Sequence, residues 1–152
     1  MRVNTRVFGE IEVSEEKIIT FPGGIIGFPE MTKFTLIYDE EQGTKAGIRW
    51  LQSLDEPVFA LPVMDPLTVK EDYNPDVEDE LLSGIGEITG ENLLVLVTVT
   101  VPADFTKMSV NLKGQIIINV YELKSFQVIV DGADYPVKYP IYDILQARKA
   151  GE

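Results

Sequence analysis

Few residues in this chain have the type and spacing needed for covalent chemistry. The segment Gly84-Ile-Gly86-Glu-Ile-Thr-Gly90 begins like a dinucleotide-binding glycine loop. Thr89 stands where the third glycine belongs, however, and a strand pattern follows instead of the helix whose N-terminus would face the phosphates. The segment therefore reads as a turn. Ser53, in Leu51-Gln-Ser-Leu54, would need a base to become a nucleophile, and the chain has no histidine. Only a lysine could serve, and a lone serine near a strand end reads as a turn residue. No phosphate-cradling loop ending in Gly-Lys-Ser or Gly-Lys-Thr occurs, and no serine sits in a Gly-x-Ser-x-Gly elbow.

Carboxylates are abundant, so a paired acid and base is open on composition, although abundance does not place two of them together. They are densest in residues 70–80, where Glu71, Asp72, Asp76, Glu78, Asp79 and Glu80 fall close together. A calcium loop starting at Asp72 would need a glycine at its sixth position and a closing glutamate, and this run has neither. Metal is therefore not expected. Tyr73 and Val77 punctuate the run with apolar contacts, which suits docking to a basic protein, and a solvated acidic face explains it equally well.

Composition narrows the field further. With 152 residues the chain is long enough to bury one ordinary core. Absence of cysteine removes disulfides, thiolate metal sites and thiol nucleophiles together. Absence of histidine removes the commonest general base and zinc ligand. A formal net charge of -12 repels phosphate backbones, and no basic patch stands against it, so direct nucleic-acid binding is not expected. The start of the chain lacks the pattern of a secretory signal, and the apolar run near residue 95 is too short to span a bilayer. The expectation is a cytoplasmic protein with no cofactor and no membrane contact, monomeric when free.

The elements that would carry such surfaces are strands. Val, Ile, Thr and aromatic residues recur in short stretches at 2–8, 17–21, 34–39, 48–54, 58–63, 94–101, 109–113, 116–121 and 126–130. In 94–101 the valines share one face and Leu94, Leu96, Thr98 and Thr100 the other, so both faces are covered and a central strand is expected. Pro22, Gly23 and Gly24, residues 39–43, and Asp131 with Gly132 supply turns. Trp50 is expected in the core. Only two helical patterns occur: residues 76–83, opened by Pro75 and acids and closed by Gly84, and residues 141–150, equally readable as a frayed tail. The expected fold is all-β, a single domain over 1–152, an antiparallel barrel or a sandwich of strongly bent sheets with one short helix near 76–83.

The stretch Ile19-Thr-Phe-Pro-Gly-Gly-Ile-Ile-Gly-Phe28 resembles the N-terminal signature of the FliW family, in which a strand ending in Phe-Pro enters a Gly-Ile-x-Gly-Phe turn. Pro22 would stop the strand and the glycines free the backbone, while Phe21, Ile25 and Phe28 anchor the turn. Trp50-Leu-Gln-Ser53, Val58-Phe-Ala-Leu-Pro-Val-Met-Asp-Pro66, Val110-Asn-Leu-Lys-Gly-Gln-Ile-Ile-Ile-Asn119 and Gln127-Val-Ile-Val130 followed by Tyr135 resemble the same family in the same order. The family usually has proline where Gln115 stands.

The resemblance implies a non-enzymatic flagellar assembly factor with two protein partners. One is flagellin. The other is the carbon storage regulator CsrA, an RNA-binding repressor of flagellin translation. While flagellin accumulates it occupies the factor; after export the factor is released, binds CsrA away from its RNA site and lifts repression. Candidate partner contacts are Phe21, Pro22, Gly27 and Phe28 in the turn, and Glu71, Asp72, Tyr73, Asp76, Glu78, Asp79 and Glu80 in the acidic run. The competing expectation is a small ligand-binding or carboxylate-dependent hydrolytic barrel.

Overall fold

Alternation along one strand organises the whole molecule. The computed structural model describes residues 1–38, 48–75, 82–86, 91–130 and 135–150. Its strands are β1 (Arg2–Thr5), β2 (Gly9–Glu12), β3 (Ile19–Thr20), β4 (Lys33–Tyr38), β5 (Arg49–Ser53), β6 (Ala60–Met64), β7 (Leu93–Thr100), β8 (Ser109–Asn119), β9 (Lys124–Ile129) and β10 (Tyr139–Pro140). Short 3-10 turns cover Glu15–Lys17, Pro66–Thr68 and Phe105–Lys107, and a C-terminal helix, α1, covers Tyr142–Ala150. On β7, Leu96 points into one cluster, with Leu94 packed against it, and Val97 and Val99 point into another, with Val95 packed against that. Both faces are covered, as the sequence pattern requires.

Seven strands close a barrel in the order β8-β7-β6-β5-β4-β3-β9 and back to β8. Among the described residues every pairing in the ring is antiparallel except β3 with β9, which meet in parallel at Thr20 and Lys124. Closure leaves few free edges. The interior is filled by Phe21, Phe34, Leu51, Val63, Leu96, Ile116 and Ile118. Burying each such side chain fully is worth about 1.5–3 kcal/mol. Outside β6, β7 and β8 a second apolar layer joins Met64, Val69, Tyr73, Val97, Val99, Val110, Leu112 and Ile141, with Ile144 and Leu145 of α1 packed on it. A third, small cluster of Val3, Val13 and Leu54 lies under the β1–β2 hairpin.

The architecture is the barrel alternative, with four local corrections. Residues 2–8 are not one strand but a strand and a turn into β2. The Thr5 hydroxyl donates to the Gly9 carbonyl (2.8 Å) and accepts from the Phe8 N–H (2.9 Å), and Gly9 takes φ +68°. Polar and apolar residues alternate on both sides of that turn, so periodicity hides it. Segments 109–113 and 116–121 are one strand, β8, ending at Asn119. Asn111 Oδ1 accepts from the N–H groups of Lys113 and Gly114, each at 3.0 Å, so the glycine is absorbed as a bulge; Val97 then faces Gln115 while Val99 faces Val110. Trp50 is half-buried beside Phe8, rings 6.1 Å apart, outside the three clusters. β10 lacks any strand pattern of its own and exists by pairing with Ser109 and Val110.

Of the helix expected near 76–83, residues 76–81 lie outside the described residues, and Leu82 and Ser83 are helical. The turns expected at 39–43 and at Asp131 and Gly132 also lie outside them. The C-terminal pattern is a helix, and Ile141 seats its start in the outer layer. No helix is long and apolar enough to cross a membrane among the described residues.

Candidate partner-docking surfaces

The turn after β3 separates anchors from displayed groups. Phe21 is fully buried, edge-on to Phe34 with ring centroids 5.1 Å apart, so it holds the turn and has no surface to offer a partner. Gly24 takes φ +72°, its N–H donating to the Phe21 carbonyl at 2.8 Å. The chain then folds back: Phe28 N–H donates to Ile25 O at 2.9 Å and Ile25 N–H to Phe28 O at 3.3 Å. Ile25 enters the interior cluster. Pro22, Gly27 and Phe28 stay outside. Phe28, expected as an anchor, is 40% exposed and leans on Phe59 with centroids 5.0 Å apart.

Two further groups belong to this surface that sequence alone did not single out. Ile26 is 50% exposed, with its N–H held by Gln127 Oε1 at 2.9 Å, and Val58, beside Phe59, is 58% exposed. Arg6 Nε donates to the Val58 carbonyl at 3.1 Å, placing a cation at the patch margin. The signal for them was the apolar run itself; nothing in it distinguishes outward from inward positions at a turn.

The acidic segment is built the same way on the other layer. Asp65 Oδ1 accepts from Leu67 N–H at 2.9 Å and Pro66 opens the 3-10 turn, as an N-cap and a proline at the first position do. Val69 and Tyr73 are buried, and the Tyr73 hydroxyl donates to Leu112 O at 2.7 Å. Tyr73, expected among the docking contacts, is thus an anchor. Its ring stands edge-on to Tyr135 at 5.0 Å, and burial first, then that neighbouring phenol, push its pKa up to about 12. Glu71 and Asp72 are exposed. Lys70 Nζ lies 3.0 Å from Asp72 Oδ1, and this hydrogen bond and charge hold the Asp72 carboxyl below its ordinary pKa. Asp76, Glu78, Asp79 and Glu80 lie outside the described residues.

Beside the acidic segment is a half-open cleft of about 410 Å³, with Pro66, Leu67, Tyr73, Leu93, Gln115 and Ile117 among its walls. Gln115 is buried and its Oε1 has no protein hydrogen-bond partner among the described residues. The other chemistry-bearing residues have structural roles. Ser53 is buried, its Oγ accepting from Glu56 N–H at 2.9 Å within a turn. Gly86 takes φ +97° against the β8–β9 connection, and Ile85 O accepts from Asn119 Nδ2 at 2.9 Å; no helix N-terminus is formed there among the described residues. No group of three or more metal-ligating side chains occurs among the described residues.

Fold and surfaces define a class: a small closed β-barrel with a packed interior, an outer apolar layer, and an apolar turn and an acidic segment each pinned from beneath and displayed outward. The profile described as FliW protein matches residues 2–141, and the chain belongs to that family. The flagellar assembly factor FliW of Lachnospira eligens is 54% identical over 150 residues, covering 98% of this chain and 99% of that one. The flagellar assembly factor FliW of Lachnoclostridium phytofermentans is 47% identical over 152 residues, covering 100% and 97%. A crystal structure of the flagellar assembly factor FliW superposes with a TM-score of 0.85 at 27% identity, covering 93% of this chain and 97% of that one.

Proposed function

We propose that this protein is a flagellar assembly factor that works in the cytoplasm as a non-enzymatic switch between two protein partners, flagellin and CsrA. The observation that carries this is the end-to-end match to relatives named as flagellar assembly factors. Physical chemistry supports the partner reading. The barrel holds side chains rather than a ligand, because Phe21, Phe34, Leu51 and Leu96 are fully buried inside it. What the chain offers is its exterior: Pro22, Ile26, Gly27, Phe28 and Val58 on one surface, Glu71 and Asp72 on another, with the acids of 76–80 following in sequence. CsrA must carry positive charge where it holds RNA, so a partner of net charge -12 meets it faster at low salt.

The test is a titration of the purified protein with flagellin and CsrA, separately and together. Expected are a complex with each and exclusion of CsrA by flagellin. Binding of neither overturns the proposal. Reversing Asp76, Glu78, Asp79 and Glu80 to lysine weakens CsrA binding and flattens its salt dependence with the fold intact; unchanged affinity would reduce that run to a solvated face. Release away from the RNA site accelerates RNA dissociation from a pre-formed CsrA–RNA complex. An unaltered RNA off-rate would mean direct competition.

The outer cleft gives the ligand-binding alternative a foothold. A small molecule retained there through purification would favour it.

A further inference from the structure

On another face, β2 and β4 present unpaired backbone edges to a common trough of about 570 Å³, lined by Ile11, Glu12, Val13, Ser14, Lys17 and Thr35 to Ile37. Successive residues of a strand send their N–H and C=O to opposite sides, so one observed bond fixes the direction of all. Lys33 O accepts from Leu54 on the β5 side and Thr32 O from Phe21 on the β3 side. Leu36 therefore faces the β3 side. On β4, β3 pairs only with Lys33 and Phe34, so among the described residues no strand reaches Leu36. In β2, Val13 exchanges bonds with Met1, its N–H to Met1 O at 2.7 Å and the Met1 amine to its carbonyl at 3.1 Å. Glu12 therefore points its N–H and C=O away from β1, and β2 has no second strand neighbour among the described residues.

We infer that this trough receives an extended, basic segment of a partner protein, which joins β2 and β4 through its backbone. The inference rests on the reading of this chain as a partner-binding protein and adds a surface to it. Backbone pairing supplies attraction in strand addition, and the side chains choose the partner. Among the described residues the trough's own charged lining is Glu12 and Lys17; Glu10, Glu15 and Glu16 are their exposed neighbours in sequence, Arg2 is shared between Glu10 and Glu12 at 3.5 and 3.4 Å, and the Met1 amine lies 3.7 Å from Glu12. A surplus of acid favours a basic strand. A second copy is disfavoured, since it brings a further net charge of -12 to the same rim. Leu36 packs on the interior cluster and Ile11 on the cluster under the hairpin, so the apolar contact left to the guest is the partly buried Ile37.

The probe is a capped peptide alternating Lys and Val, titrated into the isotope-labelled full chain. Glu12 and Leu36 amides are expected to shift, and their hydrogen exchange to slow by about tenfold or more at saturation. Glu12→Pro removes only the outward N–H, which an edge strand tolerates, and is expected to weaken the peptide about tenfold. If that variant melts the hairpin, Glu12→Lys replaces it and weakens the peptide through charge. No shift of these two amides, or equal binding of a Glu/Val peptide or of a peptide N-methylated on alternate amides, overturns the inference. So does protection already present without peptide, or rising with protein concentration, which assigns the trough to this chain or to a second copy. Flagellin and CsrA titrations are read separately: intact CsrA binding with no peptide response sinks the trough alone.

Discussion

The Tyr73 hydroxyl donates to the Leu112 carbonyl at 2.7 Å inside the outer apolar layer, tying the acidic segment to the bulged half of β8. Two neighbours of Tyr73, Glu71 and Asp72, are thereby held at the surface on a fixed base. Tyr73→Phe keeps the ring and deletes this bond, with an expected loss of about 1 kcal/mol in urea unfolding. Equal midpoints for the two proteins would show the bond to be energetically idle.

The same phenol sets an alkaline limit. Its folded pKa of about 12 lies above the ordinary value near 10. A raised pKa means the neutral form is favoured in the fold, so the stabilisation is complete below pH ~10 and is lost as pH rises through the folded value. The stability of the native chain is expected to fall between those limits more steeply than that of Tyr73→Phe. Parallel curves would place the alkaline transition on other groups.

Gly24 and Gly27 both take positive φ, yet they differ in what a methyl group would meet. At Gly24 (φ +72°) it would lie 2.5 Å from Pro29 Cα and O; at Gly27 (φ +90°) nothing lies within 4 Å. Gly27→Ala is expected to cost about 1 kcal/mol from backbone strain alone. Gly24→Ala adds a backbone collision, so its melting temperature should drop well below that of Gly27→Ala. A reversed order of midpoints would contradict the turn described here.

Gln52 works as a clamp. Its buried Nε2 faces the carbonyls of Ser53, Pro57 and Phe59 at 2.8, 2.9 and 3.2 Å, which fixes the amide orientation even though Oε1 has no partner. Gln52→Leu removes the donor to the Ser53 and Pro57 carbonyls, while Phe59 O keeps its bond from Ser53 N–H at 3.0 Å, and is expected to cost about 2 kcal/mol. Gln52→Glu, with oxygen against oxygen, should be worse.

At Gln115 the sign reverses. Its Oε1 is buried and no protein donor reaches it among the described residues. Gln115→Leu is expected to raise stability by about 1 kcal/mol, since it removes a stranded acceptor without removing a bond to it. A fall in the unfolding midpoint would mean that the amide is satisfied in solution.

The strands were legible where side chains alternate over a long run, as in β4, β5 and β7, because burial on a pleated sheet imposes period two. What escaped was decided by single side chains bonding backbone: Thr5 making the β1–β2 turn, Asn111 carrying β8 past Gly114. β10 escaped because pairing alone defines it. In the candidate surfaces, residue types marked the segments but not the direction each side chain points. Phe21 and Tyr73 differ from Phe28 in burial, and only the fold assigns that. Glu12 and Leu36 were invisible for a deeper reason: an unpaired backbone edge leaves no trace in residue type.

The single parallel joint between Thr20 and Lys124 has a kinetic implication. Strands β4 to β9 each meet the strand next in chain order, whereas the ring is sealed only when an N-terminal stretch finds one near the other end. During synthesis on the ribosome the cylinder stays open until β9 has emerged, so the final event of folding is a long-range docking whose loop entropy opposes it.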